Sequence, residues 1–171
     1  INKAGFIIHS AIHQARPKDL HCVMHSHEVN SQTLAASKSK LIPLTQEGCQ
    51  LYERVGYHEF NGIVLNDEEK EKLINAIGNE KHTLLMRNHG LITAGPTAAW
   101  AFIRHQHFIR NAEVQLKLMA SNAEMSIISD NILKHTREQF EGGSAQAGAK
   151  VRHPEWPAFW RLLDTLDEKW K

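Results

Sequence analysis

The residues with the clearest chemical potential in this sequence are His25 and His27, at the end of the short apolar segment 21–26. We predict a strand there, and because strand side chains alternate, both imidazole rings should point to the same face of it. Neutral imidazole is a common ligand for zinc and similar ions. The pair therefore indicates a metal site, although two polar residues that simply end a strand would show the same spacing.

A third histidine, His89, lies between Asn88 and Gly90 in a predicted tight turn after the apolar segment 82–87. Glycine in such a turn allows a positive φ and a close approach of the backbone, so the ring can be aimed into a site. The alternative is a turn histidine that hydrogen-bonds its own loop. Three histidine ligands would leave a fourth coordination position for water or substrate, which is the pattern of a catalytic metal ion.

The sequence holds 12 histidines, and the remaining ones show weaker patterns. His9 and His13 share one face of a predicted helix among apolar residues, which favours positions at the edge of the core. His105 and His107 diverge on a helix and are predicted to be packing or interface residues. His58, which lies between a predicted helix and a strand in a short polar group, is a further candidate for chemistry.

Short apolar segments that alternate with helical patterns must position these side chains. The periodicity predicts helices over 3–16, 29–37, 47–55, 67–78, 95–121 and 124–139, strands over 21–26, 62–65, 82–87 and 91–93, and a short strand or edge at 41–44. This alternation indicates an α/β or α+β class. The predicted hairpin around residues 88–90 argues against a purely parallel sheet.

Length and composition place the chain among soluble globular proteins. Its 171 residues are enough for one domain with a core, and 42% of them are apolar and 23% charged. The net charge of +1 gives no reason to expect nucleic acid or an anionic membrane as a partner, and no apolar run approaches the roughly 20 residues of a membrane span. Cys22 and Cys49 stand in no metal or redox spacing, so we expect reduced cysteines in a cytoplasmic protein.

Two segments of the sequence resemble the class II aldolase/adducin family. The stretch HSAIHQARPKDLHCVMHSHE, residues 9–28, is similar to the part of that family that carries its first two metal histidines. The stretch LLMRNHGLITAG, residues 84–95, is similar to the part that carries the third. The 62-residue separation between His27 and His89 also fits, and the resemblance extends over residues 1–121.

The resemblance implies an α/β fold, a three-layer α/β/α sandwich around a mainly antiparallel sheet. It implies a divalent metal ion held by His25, His27 and His89, with zinc as the usual ion and manganese or another divalent ion as alternatives. It also implies a homo-oligomer, a tetramer in many relatives, with the site near a subunit boundary. We expect the domain to cover residues 1–140, followed by a linker and an amphipathic helix, residues 141–171, that packs on it or on a neighbouring subunit.

The sequence departs from the aldolases of this family where their acid/base glutamate should lie. Counting back from His25, with one inserted residue, leads to Gly5, and residues 1–18 contain no carboxylate. The opening INKAGFIIHSAIHQARP and the segment GYHEFNG, residues 56–62, look closer to the adducin-like branch. We expect the phosphate-binding loops of such a domain to precede Ile1, in an N-terminal part that this sequence lacks.

Two functions from different classes follow from these observations. The first is a metal-dependent aldolase- or epimerase-like enzyme, an aldehyde-lyase in the former case, that acts on a small hydroxy-carbonyl, sugar-type substrate through a metal-stabilised enediolate. Glu47, Tyr57 and His58 are then the candidates for acid or base chemistry, and Glu28 is a further one whose side chain should point away. The second is an adducin-like domain without catalysis that serves oligomerisation or protein binding.

Overall fold

A four-stranded mixed sheet lies at the centre of the protein, which a computed structural model describes over residues 2–63, 67–146 and 153–166. Its strands are β1 (Cys22–Ser26), β2 (Val55–His58), β3 (Thr83–Met86) and β4 (Gly90–Gly95). The strand order is β1-β4-β3-β2, with β4 antiparallel to both of its neighbours and β2 parallel to β3. The β3–β4 hairpin confirms the predicted turn, and it brings the residues around position 89 to the end of β1.

The helices alternate with the strands along the chain. Within the described ranges they are α1 (Lys3–Ala15), α2 (Val29–Ala36), α3 (Asp67–Ile77), α4 (Ala98–Ser121), α5 (Asp130–Gln146) and α6 (Trp156–Asp164), with a 3-10 turn at Glu47–Leu51. Side-chain oxygens cap the first and the longest of them, because Asn2 accepts from the N–H of Gly5 and Thr97 accepts from the N–H of Trp100.

Two apolar cores, one on each face of the sheet, produce three layers. Leu84 and Ile92 face helices α1 and α3, whose residues include Ile12 and Leu73. Their neighbours in the strands point the other way, so that Leu85 and Leu91 pack with Leu34 of α2 and Phe108 of α4. This arrangement confirms the α/β/α sandwich, and two of the three strand pairings are antiparallel.

The predicted short strand at 41–44 is wrong, because side chains of α4 take its backbone hydrogen bonds. Asn111 Oδ1 accepts from the N–H of Leu44 at 2.9 Å, and Asn111 Nδ2 donates to the carbonyl of Ile42 at 2.7 Å. Gln115 Oε1 accepts from the N–H of Ile42 at 2.8 Å. Both amides are fully buried, and this segment pairs with none of the strands that the structure describes.

The predicted helix over 47–55 is also wrong beyond its first turn. The 3-10 turn Glu47–Leu51 is followed by a three-residue turn and then by strand β2. Gly56 allows the strand to lie here, since a Cβ at this position would overlap the carbonyl oxygen of Ala76 and lie 2.5 Å from a Leu84 methyl group. The backbone at this position therefore packs tightly against α3 and β3, which local periodicity does not reveal.

The boundaries of the C-terminal elements differ from the prediction. Helix α5 begins at Asp130 instead of 124 and continues to Gln146, so the first six residues expected to form a linker, 141–146, are helical. Helix α6 is the expected amphipathic helix, and the Trp156 and Phe159 rings lie 5.7 and 5.0 Å from the ring of Phe102 in α4. Residues 147–152 and 167–171 of the predicted C-terminal region lie outside the described ranges.

In the predicted strand 62–65, Gly62 and Ile63 belong to no strand, and the remaining two residues lie outside the described ranges. Among the helices that the structure describes, none combines the length and the apolar character that crossing a bilayer requires.

Candidate metal centre

Three imidazole rings meet where β1 ends and β3 turns into β4. His25 belongs to β1, His27 follows it directly, and His89 lies in the turn. The ring centroids are 4.8 to 4.9 Å apart in all three pairs, and one possible ligand nitrogen from each ring lies within 4.8 Å of the others. The structure thus brings together the three histidines that the sequence singles out.

Backbone hydrogen bonds hold the turn that carries His89. Asn88 adopts the left-handed conformation with φ 55°, and its N–H donates to the carbonyl of Ala35 at 3.2 Å. The His89 N–H donates to the carbonyl of Met86 at 3.1 Å. The His89 carbonyl accepts from Gln32 Nε2 of α2 at 3.0 Å. The position of the ring is therefore fixed by contacts that do not involve the imidazole itself.

Gly90 is needed for a close approach and not for the positive φ that the sequence suggested. The left-handed residue of the turn is Asn88, whereas Gly90 already belongs to the extended strand β4. A Cβ on Gly90 would overlap the carbonyl oxygen of Ser26 and lie 3.0 Å from His27 Cδ2 and 3.4 Å from His25 Cε1. The strand can pass beneath the two rings only because no side chain is present there.

The hydrogen bond of His25 leaves its second nitrogen available. Its Nδ1 lies 3.0 Å from the carbonyl oxygen of Leu91, so Nδ1 carries the proton and donates it. Its Nε2 is then unprotonated and has a free lone pair, and it lies 3.1 Å from Nε2 of His27. Burial lowers the pKa of His25 to about 4, and burial with the nearby charge of His27 lowers the pKa of His89. Three rings whose nitrogens converge, one of them oriented by a backbone carbonyl, fit a metal ion.

A pocket of about 520 Å³ opens over these rings. Its walls come from the start of α1, the three histidines and the loop after β2, and they consist of Asn2, Ala4, Gly5, Ile8, His25, His27, Phe60, Gly62, Ile63 and His89. Among these described lining residues there is no carboxylate. Gly5, the position that counting back from His25 assigns to the missing glutamate, lies in the wall of this pocket.

The expected acid/base residues lie outside this lining. Glu47 is exposed at the start of the 3-10 turn. Tyr57 packs against the core on the α2/α4 side of the sheet, where its hydroxyl accepts from the N–H of Leu41 at 2.9 Å and the Arg87 guanidinium lies 4.9 Å from its ring centre. Glu28 caps α2 by accepting from two backbone N–H groups. Tyr57 and Glu28 therefore have structural roles, and Glu47 faces solvent.

His58 is buried beside His89, and the sequence did not reveal its partner. His58 Nε2 lies 3.2 Å from Glu69 of α3, which also receives Lys72 Nζ at 2.6 Å. Burial lowers the pKa of His58, against the opposing effect of the Glu69 charge. The charge of His58 in turn helps to lower the pKa of His89. Nothing in the sequence pattern distinguished Glu69 as this partner, because a carboxylate in a charged helix is normally solvated.

A further buried histidine, His105 of α4, supports the end of β1. The Thr93 hydroxyl donates to the carbonyl of Ala101 at 2.8 Å, so it accepts from His105 Nδ1 at 3.0 Å. His105 Nε2 is then the acceptor for the hydroxyl of Ser26 at 2.6 Å. Burial lowers the pKa of His105 to about 4. This neutral ring ties the residue between His25 and His27 to the helix behind the sheet.

We expect the free energy of unfolding to fall as the pH is lowered from about 6.5 to about 4, and His105→Gln to reduce that fall. The pKa of His105 is about 4 in the folded protein and about 6.5 in an unfolded chain. Only the unfolded chain therefore takes up this proton within the window, so acid favours unfolding by up to about 3 kcal/mol. Urea titrations across this pH range measure the effect, with the exposed His135→Gln as control. Equal pH dependences in wild type and His105→Gln would contradict it.

Comparison with known proteins shows the family to which this chain belongs. A family profile described as "Class II Aldolase and Adducin N-terminal domain" matches residues 1–116. The chain belongs to this family. The match covers all three histidines and most of α4, so the predicted resemblance is confirmed.

Both branches of the class II aldolase and adducin family contain relatives of this chain. A putative class 2 aldolase of Caulobacter vibrioides is 37% identical over 171 residues, covering 96% of this chain and 62% of the relative. A putative class 2 aldolase of Pseudomonas aeruginosa is 34% identical over 164 residues, with the same coverage of both. Alpha-adducin of Rattus norvegicus is 31% identical and covers 97% of this chain but 23% of the adducin.

Solved structures share the class II aldolase fold. An aldolase II superfamily protein from Pseudomonas syringae superposes with a TM-score of 0.75 at 32% identity, covering 92% of this chain and 64% of that one. An L-fuculose 1-phosphate aldolase from Glaciozyma antarctica superposes with a TM-score of 0.71 at 27% identity, covering 82% of this chain and 52% of that one. The chain thus spans 62% of the length of these two bacterial aldolase-class relatives, and 64% and 52% of the two structures.

Proposed function

We propose that this chain binds one divalent metal ion through His25, His27 and His89 and acts as a metal-dependent aldolase- or epimerase-like protein on a small hydroxy-carbonyl, sugar-type substrate. The observation that carries the proposal is the convergence of three ring nitrogens within 4.8 Å at the floor of a pocket. The class II aldolase family generally depends on a divalent metal ion, which supports the assignment.

The protein's own contribution is to orient the three rings and to shape the space above them. The Leu91 carbonyl selects the tautomer of His25, and Gly90 lets β4 pass beneath the rings. An ion held there supplies Lewis acidity toward the oxygens of a chelating substrate. The pocket has room for a small organic molecule, since ligand pockets span roughly 300–1,000 Å³. Phe60 and Ile63 give its outer wall an apolar character.

Zinc is the ion we propose, with manganese or another divalent ion as the alternative. Three imidazole ligands with an open fourth position are typical of catalytic zinc. We also propose a cytoplasmic homotetramer, because members of the family are commonly oligomers with small-molecule substrates. Neither nucleic acid nor membrane is part of this proposal.

Acid/base chemistry is the part of the reaction for which this pocket offers the fewest groups. Of the three candidates, we retain His58 as a positioning residue, since it lies behind His89 and is paired with Glu69. Glu47 and Tyr57 do not line this pocket. Either one could transfer a proton directly only in a different pocket, such as one formed with a neighbouring subunit. A proton donor from outside the described residues is the simpler proposal.

Metal analysis of the purified protein tests the proposed function. We expect close to one ion per chain, removal of the ion by a strong chelator, and a folded protein in both states. Retro-aldol cleavage or epimerisation of hydroxy-carbonyl compounds should be detectable in the metal-loaded protein and lost after chelation. A folded protein that binds none of zinc, manganese or cobalt would contradict the metal site.

The second candidate is an adducin-like domain without catalysis, for oligomerisation or protein binding. A specific observation favours it, namely that Gly5 stands in the pocket wall where a catalytic carboxylate is expected. The 31% identity with alpha-adducin across 97% of this chain is in keeping with it. This candidate predicts self-association or partner binding that does not change when the metal ion is removed.

We expect Gly5→Glu to raise the affinity for the metal ion by about tenfold, comparable to the effect of a single outer-shell group on a metal site. A Cβ on Gly5 would meet only Asn2, at 4.0 Å, so the side chain has room. Glutamate is also a better helix residue than glycine near this N-terminus, so stability should not decrease. Competition with a chromogenic chelator measures the affinity, and Gly5→Gln controls for size. Equal affinities of the two variants would contradict a carboxylate effect.

A further inference from the structure

A second cleft lies at the opposite end of the sheet from the histidines. Its walls come from the residues just before β1, β2 and β3 and just after β4, and it measures about 820 Å³. Strands of four to six residues separate the two ends by roughly 15 Å. The cleft is therefore a separate space, of a size that small-molecule sites have.

Three guanidinium groups converge in this cleft, and two of them have carboxylate partners. Arg16 forms an ion pair with Asp19. Arg54 Nε donates to Glu141 at 3.0 Å. These pairs balance the charge of two of the three arginines.

The third guanidinium, that of Arg104 in α4, has no carboxylate partner among the described residues. Its Nη1 donates to the carbonyl of Ala94 at 2.6 Å, and its face lies 5.0 Å from the ring centre of Trp100. Its Nε is inaccessible and has no hydrogen-bond partner. Burial and the charge of Arg16 lower the pKa of Arg104 to about 10.

Leaving this cation unpaired is energetically unfavourable. A guanidinium has five N–H donors, and the described contacts use one of them. A buried charge normally requires a partner of opposite charge with several hydrogen bonds. The two carboxylates that raise its pKa, Glu141 and Asp19, are already bound by the other arginines, and Glu80, which also lines the cleft, lies 3.9 Å from Arg54. The exposed side chains of Lys18 and His21 add further donors to the wall.

We propose that this cleft binds a small oxyanion, the phosphate or carboxylate group of a free small molecule, through the guanidinium of Arg104. Planar guanidinium groups recognise such oxyanions through paired N–H donors. Lys18 and His21 contribute at the outer wall. The site is independent of the metal centre, because no residue is shared between the two pockets.

Isothermal titration of the full chain with inorganic phosphate, and separately with citrate, tests the proposal and distinguishes the two anion types. We expect saturable one-site binding of at least one of them. Arg104→Gln should weaken it at least tenfold, while Arg110→Gln, an exposed arginine of the same helix, should leave it unchanged. His89→Ala should also leave it unchanged, since an anion bound to a metal ion would respond to that variant instead.

Thermal melting of each variant controls for loss of fold. If Arg104→Gln does not fold, the double variant Lys18→Ala/His21→Ala decides, because both residues are exposed and its affinity should fall severalfold. The proposal is overturned by absence of saturable binding to the folded wild type. It is also overturned by unchanged affinity in whichever of these cleft variants folds, or by loss of binding in His89→Ala.

Discussion

Replacing His89 with alanine is expected to lower the affinity for the metal ion by at least about 100-fold, because even residues that only support metal ligands contribute 10–100-fold. The ring is one of three whose nitrogens lie within 4.8 Å of one another. The remaining pair, His25 and His27, comes from one strand end and would bind an ion on one side only. Equilibrium competition with a chromogenic chelator measures the loss for zinc and for manganese.

The fold should survive this substitution. The turn is held by the backbone bonds of Asn88 and His89 and by Gln32, and none of these uses the imidazole. The thermal midpoint without metal should therefore equal that of wild type. His21→Ala is the matched control, because His21 is an exposed histidine just before β1, at the opposite end of that strand from His25 and His27. A His89→Ala protein that retains a full equivalent of metal would remove the basis of the proposed centre.

Much of this site could be predicted from sequence because its geometry is largely local. Alternation within β1 places His25 and His27 on one face, and the hairpin signal around 88–90 returns the chain to the end of β1. What joins the two segments is the pairing of β1 with β4, which no single segment encodes. The family resemblance supplied that connection.

The elements that sequence reasoning missed depend on contacts between distant residues. Segment 41–44 has no strand partner because Asn111 and Gln115, far along the chain, satisfy its backbone. Strand β2 was not predicted, because only its first residue falls in the predicted helix 47–55 and the rest looked like a short polar connection. Its alternation places Tyr57 and His58 on opposite faces of the sheet. Two neighbouring residues that looked like one polar cluster therefore have different surroundings, one with Arg87 and the other with Glu69.

The second large effect is expected from Gly90→Ala, which should weaken both the fold and the metal centre. The added methyl group would overlap the carbonyl oxygen of Ser26, which is backbone and cannot rotate away, and it would press on the His27 ring. Strand β1 must then move away from β4 at the point where His25 bonds the Leu91 carbonyl. We expect a loss of about 1–3 kcal/mol in the free energy of unfolding, as for other overpacked sites. We expect the metal affinity to fall at least tenfold, because the rings no longer converge.

Gly142→Ala separates this steric effect from the general effect of replacing glycine. Gly142 lies in α5 with no atom near its missing Cβ, so alanine there should stabilise the helix by about 0.5–1 kcal/mol. Urea unfolding of both variants, with and without bound metal, gives the comparison. A Gly90→Ala protein as stable and as tightly metal-binding as wild type would show that β4 does not need to pass so close to the two rings. Alanine is thus expected to lower the free energy of unfolding at position 90 and to raise it at position 142. This difference tests whether Gly90 is required for the space that it leaves beneath the imidazoles.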